Sequence, residues 1–146
     1  MSKLHNTLEN IVFSMIEYNQ EVQLIRGSFI THMRDTDYAK SYQTVSFNPG
    51  RQVGKTTMIA RHIGKNDIAI SYNTANAKHL ENKILQFNAV VWAPVRTADR
   101  LNASEFSDRE PFDIVWVDEP SVMRKEDIKN IYEALAGKCN QFVFLG

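Results

Sequence analysis

The chain is poor in the residues that mark several classes of protein. Its 146 residues include one cysteine, Cys139, so neither an intramolecular disulfide nor a cysteine-based zinc cluster can form. Six glycines and four prolines are too few for a collagen-like or low-complexity chain, and 10% aromatic residues argue against wholesale disorder. The four histidines have neither HxxH nor HExxH spacing, which leaves histidine-based metal binding without support. We therefore expect an ordinary intracellular globular protein.

Long hydrophobic runs are also missing. No stretch reaches the roughly 18 apolar residues that a membrane span needs. Residues 1–10 lack a basic segment followed by an apolar run, which is the mark of a signal peptide. Both absences disfavour secretion and membrane insertion, so we expect a cytoplasmic protein that has no membrane partner.

The net charge is zero, but the charges are unevenly distributed. The 17 basic and 17 acidic residues cancel, which removes the simplest sign of a nucleic-acid-binding protein. Residues 1–49 carry a net charge of −1, residues 50–100 of +5 and residues 101–146 of −4. A polyphosphate site on one segment and a divalent metal site on another would give this pattern. Ordinary fluctuation of surface charge would also give it, so charge alone does not decide between the two.

Hydrophobic periodicity predicts an α/β fold. Apolar residues from Leu4 to Met33 recur mostly three or four apart, as in one or two amphipathic helices. Further along, strand and helix patterns alternate, which is typical of a mostly parallel sheet covered on both faces. The predicted strands are 44–47, 67–72, 89–93, 112–117 and 141–145, and the predicted helices are 55–63, 74–87 and one that Gly137 ends. We expect residues 1–42 to be a helical segment packed on a core of residues 43–146, and we expect that core to continue beyond Gly146.

Three local predictions concern the connections. The polar residues Asp35–Gln43 are expected to interrupt the helical pattern. Gly64 suits the left-handed cap of the preceding helix. Residues 95–112 are expected to form a loop with one short helix near 98–101.

Residues 46–57 form a variant phosphate-binding loop between a predicted strand and a predicted helix. Gly54, Lys55 and Thr56 match the end of the pattern G-x-x-x-x-G-K-[ST], whereas Pro49 stands at the position of the first glycine. In such a loop, successive backbone N–H groups point at phosphate oxygens, assisted by the positive end of the following helix. The predicted nucleotide-binding residues are Pro49, Gly50, Arg51, Gln52, Val53, Gly54, Lys55, Thr56 and Thr57.

The residue types in this loop suit distinct tasks. Gly54 lets the main chain approach a phosphate closely, and Lys55 offers an ammonium group to the β- and γ-phosphates. The hydroxyl of Thr56 is a ligand for Mg²⁺. A Gly-Lys-Thr tripeptide that arose by chance in a turn is the alternative, but the strand before it and the helix after it favour the phosphate-binding interpretation.

A second motif is the apolar strand 112–117, which ends in two carboxylates. Asp118 is expected at the carboxyl edge of the sheet, where open α/β folds bind ligands, and there it would hold Mg²⁺ directly or through water. Glu119 would activate the attacking water as a general base. Adjacent Asp and Glu residues favour hydrolysis over phosphoryl transfer to a small acceptor. We expect strand 141–145 to lie between the phosphate-loop strand and the Asp-Glu strand, as in additional-strand P-loop ATPases.

The two motifs together resemble those of a viral family. Residues 50–57 resemble the deviant Walker A motif of the large terminase subunits that package DNA into viral heads, in which an Arg-Gln pair precedes the final glycine and lysine. Residues 112–119 resemble their Walker B motif with its catalytic glutamate, and the resemblance spans about residues 43–146. It implies a three-layer, RecA-like P-loop ATPase fold with ATP and Mg²⁺ as cofactors. It also implies that Arg51 stabilises the γ-phosphate in cis, while a solvent-facing arginine is the alternative.

The resemblance also implies partners. These are double-stranded DNA, a portal or small-subunit protein, and further copies of the chain in a homo-oligomeric ring in the host cytoplasm. Helicase- and loader-type ATPases share the same two motifs, and a nucleotide-binding assembly module with little turnover is a third hypothesis. A clear proline-x-glutamine adenine-reading motif is not found, and Tyr42 and Gln43 are the nearest candidates. Side chains that could contact DNA, or could equally form a solvated face, are Arg96, Arg100, Arg109, Arg124 and Lys125. Trp92 and Trp116 lie within strand patterns and are expected in the core.

Overall fold

A computed structural model of the chain describes residues 3–26, 33–50, 54–87 and 93–146. These residues form helices and strands that alternate along most of the chain. The helices are α1 (Lys3–Arg26), α2 (Asp35–Tyr42), α3 (Lys55–His62), α4 (Thr74–Phe87) and α5 (Lys125–Leu135). The strands are β1 (Thr44–Phe47), β2 (Ile68–Ser71), β3 (Val95–Thr97), β4 (Phe112–Asp118) and β5 (Cys139–Leu145). Among these residues, none of the helices combines the length and the apolar character needed to cross a membrane.

The strands form one five-stranded sheet in the order β1-β5-β4-β2-β3, and every pairing is parallel. β5 pairs with β1 on one side and with β4 on the other, so that Phe142 lies opposite both Thr44 and Val115. The predicted position of the last strand, between the phosphate-loop strand and the Asp-Glu strand, is therefore confirmed. Because all the strands run in the same direction, the segments that follow β1, β4 and β5 meet at one edge of the sheet, called here the carboxyl edge.

Helices cover both faces of the sheet, as the α/β prediction requires. On one face, α1, α3 and α4 pack against residues such as Val143 and Leu145 of β5. On the other face, α2 and α5 pack against Phe142 and Phe144 of the same strand. Because successive strand residues point to opposite faces, β5 contributes to both hydrophobic clusters and is buried between them. The arrangement is that of a three-layer α/β fold.

Buried amide groups fix α1 at the amino edge of the sheet, which is the edge where the strands begin. The Gln141 amide donates to the carbonyl of Ile16 and to Asn19 Oδ1, both at 3.1 Å, and Gln141 is 1% exposed. Asn19 in turn donates to the carbonyl of Tyr42 at 2.8 Å. Buried polar groups are costly unless they are paired. These bonds therefore hold α1 in one position relative to β1 and β5.

The prediction that residues 35–43 interrupt the helical pattern is wrong, because residues 35–42 form α2. Asp35 and Asp37 lie in its first turn, where negative charge is favourable. Ala39 is fully buried against the sheet. The helix is short and mostly polar, so tertiary packing rather than a local hydrophobic pattern determines it.

The prediction of a strand at residues 89–93 falls largely on residues 89–92, which lie outside the described residues. The strand that pairs with β2 is Val95–Thr97, so the prediction of a loop from residue 95 is wrong at its start. Pro94 precedes this strand, and its carbonyl accepts a hydrogen bond from the Ala69 N–H at 3.1 Å. Proline lacks an N–H group but can still stand at the start of an edge strand. A short 3-10 helix follows at Ala98–Arg100, which confirms the predicted short helix, and a second one at Ala103–Phe106 was not predicted.

The predicted left-handed cap at Gly64 is also wrong. Among the described glycines, positive φ angles occur at residues 50, 54, 137 and 146, not at residue 64. The N–H of Gly64 instead donates to Asp67 Oδ2 at 2.7 Å, so a side chain closes the end of α3. Gly137 has a φ of 78° just after α5, as the sequence predicts.

Candidate functional site

The chain leaves β1 at the carboxyl edge and enters α3 through the predicted phosphate loop. Pro49 and Gly50 follow β1, and the Gly50 N–H donates to Asn48 Oδ1 at 3.2 Å. Gly54 has a φ of 85° directly before α3, a left-handed conformation that favours glycine. Arg51, Gln52 and Val53 lie outside the described residues, so their contacts stay predictions.

The start of α3 offers backbone donors at this edge. The Met58 N–H donates to the carbonyl of Gly54, the residue directly before α3, at 2.8 Å. The N–H groups of Lys55, Thr56 and Thr57 precede it and have no partner within the helix. Unpaired N–H groups at a helix start, together with the helix dipole, attract phosphate and other anions.

The two sequence motifs meet through Thr56 and Asp118. The Thr56 hydroxyl donates to Asp118 Oδ2 at 2.9 Å, although the two residues are 62 positions apart. Asp118 is 5% exposed, and its Oδ1 is buried without a hydrogen-bond partner among the described residues. Burial raises the pKa of Asp118 above its usual value of 3.8, and the hydrogen bond from Thr56 opposes that rise. Buried polar atoms usually have a hydrogen-bond partner, so this oxygen is available to a ligand.

Mg²⁺ fits this pair of side chains. The ion takes oxygen ligands and usually binds through one or two protein groups together with phosphate oxygens and water. Asp118 Oδ1 and the Thr56 hydroxyl are oxygen ligands of that kind. In the described part of the chain, no group of three or more His, Cys, Asp or Glu side chains is placed to hold a metal. Two protein oxygens leave the other ligand positions of such an ion to phosphate oxygens and water.

Lys55 and Glu119 form an ion pair beside this contact. Lys55 Nζ lies 2.7 Å from Glu119 Oε1, and the two side chains are 5% and 31% exposed. Glu119 has a φ of 55° and a ψ of 52°. Among the described residues other than glycine, it alone has a positive φ. Such backbone strain in a residue with a β-carbon is concentrated at functional sites in proteins. The strained turn holds the Glu119 carboxylate over the start of α3.

The end of β5 lies between the two motifs. The Glu119 N–H donates to the carbonyl of Leu145 at 3.0 Å, and the Gly146 N–H donates to the carbonyl of Phe47 at 2.9 Å. A β-carbon at residue 146 would lie 3.1 Å from both Lys55 Nζ and Glu119 Oε2, and the φ of Gly146 is 131°. Gly146 therefore permits the close approach of β5 to the ion pair.

Two side chains of α4 border the site, and the sequence motifs did not indicate either of them. Lys83 Nζ donates to Thr57 Oγ1 at 2.9 Å. His79 lies close enough to Asp118 to favour its charged form electrostatically. The two residues are four apart on a helix, so they share one face. That spacing is visible in the sequence, but it does not reveal which element the face meets.

Other candidate residues have structural roles. The Gln43 amide donates to the carbonyl of Asn140 at 3.3 Å at the amino edge, so Gln43 does not reach a nucleotide at the carboxyl edge. The carbonyl of Tyr42 accepts the bond from Asn19 described above. Trp116 is 1% exposed and donates to Asp67 Oδ2 at 3.1 Å, which confirms its predicted place in the core. Trp92 lies outside the described residues.

Three of the candidate DNA-contacting arginines interact within the chain. Arg96 pairs with Glu105 at 2.8 Å, and Arg124 pairs with Asp127 at 3.4 Å. The Arg109 guanidinium lies 3.7 Å from the centroid of the Phe112 ring. Each of the three side chains thus has a partner within the chain, and their contacts with DNA stay a prediction.

Comparison with known proteins assigns the chain to no family. No protein-family model matches the sequence, and none of the curated proteins is detectably similar to it. The resemblance to terminases therefore stays a prediction that rests on the two motifs.

Proposed function

We propose that the chain binds ATP with Mg²⁺ and hydrolyses it to ADP and phosphate, as a P-loop ATPase of the RecA-like, additional-strand type. The observation that carries this proposal is the meeting of the two motifs at the carboxyl edge. Thr56 lies 2.9 Å from Asp118, and Lys55 lies 2.7 Å from Glu119. The position of β5 between β1 and β4 supports the same type of fold.

Each side chain at this edge has a role in the proposed reaction. The N–H groups at the start of α3 and the ammonium of Lys55 bind phosphate oxygens. Thr56 and Asp118 hold Mg²⁺, which when bound neutralises charge on the phosphates. Glu119 orients a water molecule and accepts its proton as that water attacks the terminal phosphorus. Lys55 must break its ion pair with Glu119 before it binds phosphate. The break frees the Glu119 carboxylate for the water.

Nucleotide binding is the direct test of the proposal. Calorimetry with ATP and Mg²⁺ should show binding to the wild type, and Lys55→Ala should abolish it because the charge next to the terminal phosphates is lost. Lys65→Ala is the matched control, since Lys65 is an exposed lysine just beyond α3. Equal ATP affinity in wild type and Lys55→Ala would contradict the proposed site.

We infer the role in DNA packaging from the resemblance to terminases alone. In that role the chain would act on double-stranded DNA, in a ring with further copies and with a portal or small-subunit partner. ATP hydrolysis measured with and without double-stranded DNA and a portal tests this role. Stimulation by single-stranded nucleic acid alone would favour the helicase- or loader-type hypothesis instead. Arg51→Ala should slow hydrolysis without preventing ATP binding if Arg51 stabilises the γ-phosphate.

A second candidate function is a nucleotide-binding assembly module with little turnover. The ion pair between Lys55 and Glu119 supports it, because the pair occupies both the phosphate-binding amine and the proposed base. Such a module would bind ATP but release no phosphate at any protein concentration. Phosphate release measured over a range of concentrations separates it from the ATPase.

A further inference from the structure

A lysine from α4 reaches the start of the phosphate-loop helix. Lys83 Nζ lies 2.9 Å from Thr57 Oγ1, and the Lys83 side chain is partly buried between α3 and α4. An ammonium group has three donors, and this bond uses one of them. Within the described parts of the chain, no carboxylate lies within ion-pair distance of Lys83, in contrast to Lys55. The charge of Lys83 is therefore held beside the helix start by a neutral hydroxyl.

The place of this charge is suited to an anion. Thr57 is the third residue of α3, and the first N–H groups of a helix have no partner within the helix itself. An anion that accepts from the Thr57 N–H lies next to the hydroxyl that holds Lys83. Thr56, the residue before Thr57, donates to Asp118 Oδ2 at 2.9 Å, so the part of α3 that Lys83 contacts belongs to the candidate site. The ammonium of Lys55 lies at a different place from that of Lys83. It points towards Glu119, where the terminal phosphate is expected.

We propose that Lys83 binds a non-terminal phosphate of the nucleotide and so adds a binding residue from α4 to the phosphate loop. This inference rests on the proposed nucleotide site. It assigns the two lysines to different parts of the polyphosphate, Lys55 to the terminal phosphates and Lys83 to the phosphates that ATP and ADP have in common. Lys83 therefore contributes equally to the binding of ATP and of ADP.

Substitution of Lys83 tests the assignment through binding alone. Lys83→Gln removes the charge but keeps a donor for the Thr57 hydroxyl, and Lys83→Met removes both. A charge-assisted hydrogen bond of a partly exposed group corresponds to roughly tenfold in affinity. We expect Lys83→Gln to weaken the binding of ADP and the binding of ATP by that same factor. Lys83→Arg should retain most of the affinity for both. Lys78→Gln, an exposed lysine on the same helix, is the matched control.

The outcomes separate this inference from the proposed function. If the wild type binds neither ATP nor ADP, the proposed function fails and the inference fails with it. If the wild type binds both and Lys83→Gln binds them with unchanged affinity, the inference alone is overturned. A lower melting temperature of nucleotide-free Lys83→Met, together with unchanged ADP affinity in Lys83→Gln, would show that Lys83 only joins α3 to α4. An equal loss of ATP and ADP affinity in Lys83→Gln, absent in Lys78→Gln, supports the inference.

Discussion

Replacing Glu119 with glutamine should separate nucleotide binding from hydrolysis. The substitution keeps the shape of the side chain but removes the charge that holds Lys55 at 2.7 Å. Lys55 is 5% exposed and Glu119 is 31% exposed, so the pair is intermediate between a surface ion pair and a buried one. Surface pairs contribute up to about 1 kcal/mol, whereas breaking a buried pair costs about 3–5 kcal/mol. We therefore assign about 1–2 kcal/mol to this pair.

The ion pair between Lys55 and Glu119 stabilises the nucleotide-free protein but opposes the binding of ATP. ATP can bind Lys55 only after Lys55 has left Glu119, and in Glu119→Gln that ion pair no longer has to be broken. We expect the variant to bind ATP roughly 5- to 30-fold more tightly, the affinity equivalent of the pair energy. The nucleotide-free variant should be less stable by about 1–2 kcal/mol, because a buried ammonium loses its partner. Turnover should fall by about 10²- to 10⁴-fold, the usual contribution of a general base.

Three measurements on one variant check these expectations. They are ATP titration by calorimetry, phosphate release, and urea unfolding without nucleotide. Glu110→Gln, an exposed glutamate in the loop before β4, is the control and should match the wild type in all three. Wild-type hydrolysis in Glu119→Gln would show that Glu119 is not the base. Weaker ATP binding would show that the ion pair does not compete with the nucleotide.

Further predictions concern Asp67, the buried carboxylate directly before β2, and Gly146 at the end of β5. Asp67→Ala should lower the free energy of unfolding by about 3–5 kcal/mol in urea, because two backbone N–H groups and the Trp116 indole lose their acceptor; a loss below 1 kcal/mol would refute this role. Burial raises the pKa of Asp67 above 3.8, so the folded chain binds more protons than the unfolded chain just above that pH, and wild-type stability falls as the pH rises through the raised pKa. Asp67→Asn lacks this titration, so its free energy of unfolding relative to that of the wild type should rise from pH 3.8 upwards. Urea unfolding at a series of pH values measures this difference, and a difference that does not change with pH would contradict the pKa shift. Gly146→Ala should lower ATP affinity and turnover, since the new methyl group would lie 3.1 Å from Lys55 Nζ; wild-type values for both would show that the end of β5 can shift.

Local sequence patterns predicted most of the elements and the residues of the candidate site. The 14-residue helix α4 and the buried strand β4 have patterns long enough to be predicted from periodicity alone. The Gly-Lys-Thr and Asp-Glu motifs are confined to a few adjacent residues, so the sequence predicts a phosphate site and a metal site without any structure. Elements with weak local patterns were missed. The polar helix α2 and the three-residue strand β3 form because they pack against the sheet or pair with β2.

Only the tertiary structure decided which side chains face one another. Thr56 meets Asp118 because parallel pairing carries β1 and β4 to the same edge, with β5 between them. The pairing of Lys55 with Glu119, and the approach of Lys83 from α4 to Thr57, depend on the same packing. A sequence motif specifies residue types over a few positions, whereas these contacts join positions 26 to 64 residues apart. Such contacts form only when the hydrophobic faces of helices and sheet pack together, and local sequence does not record that packing.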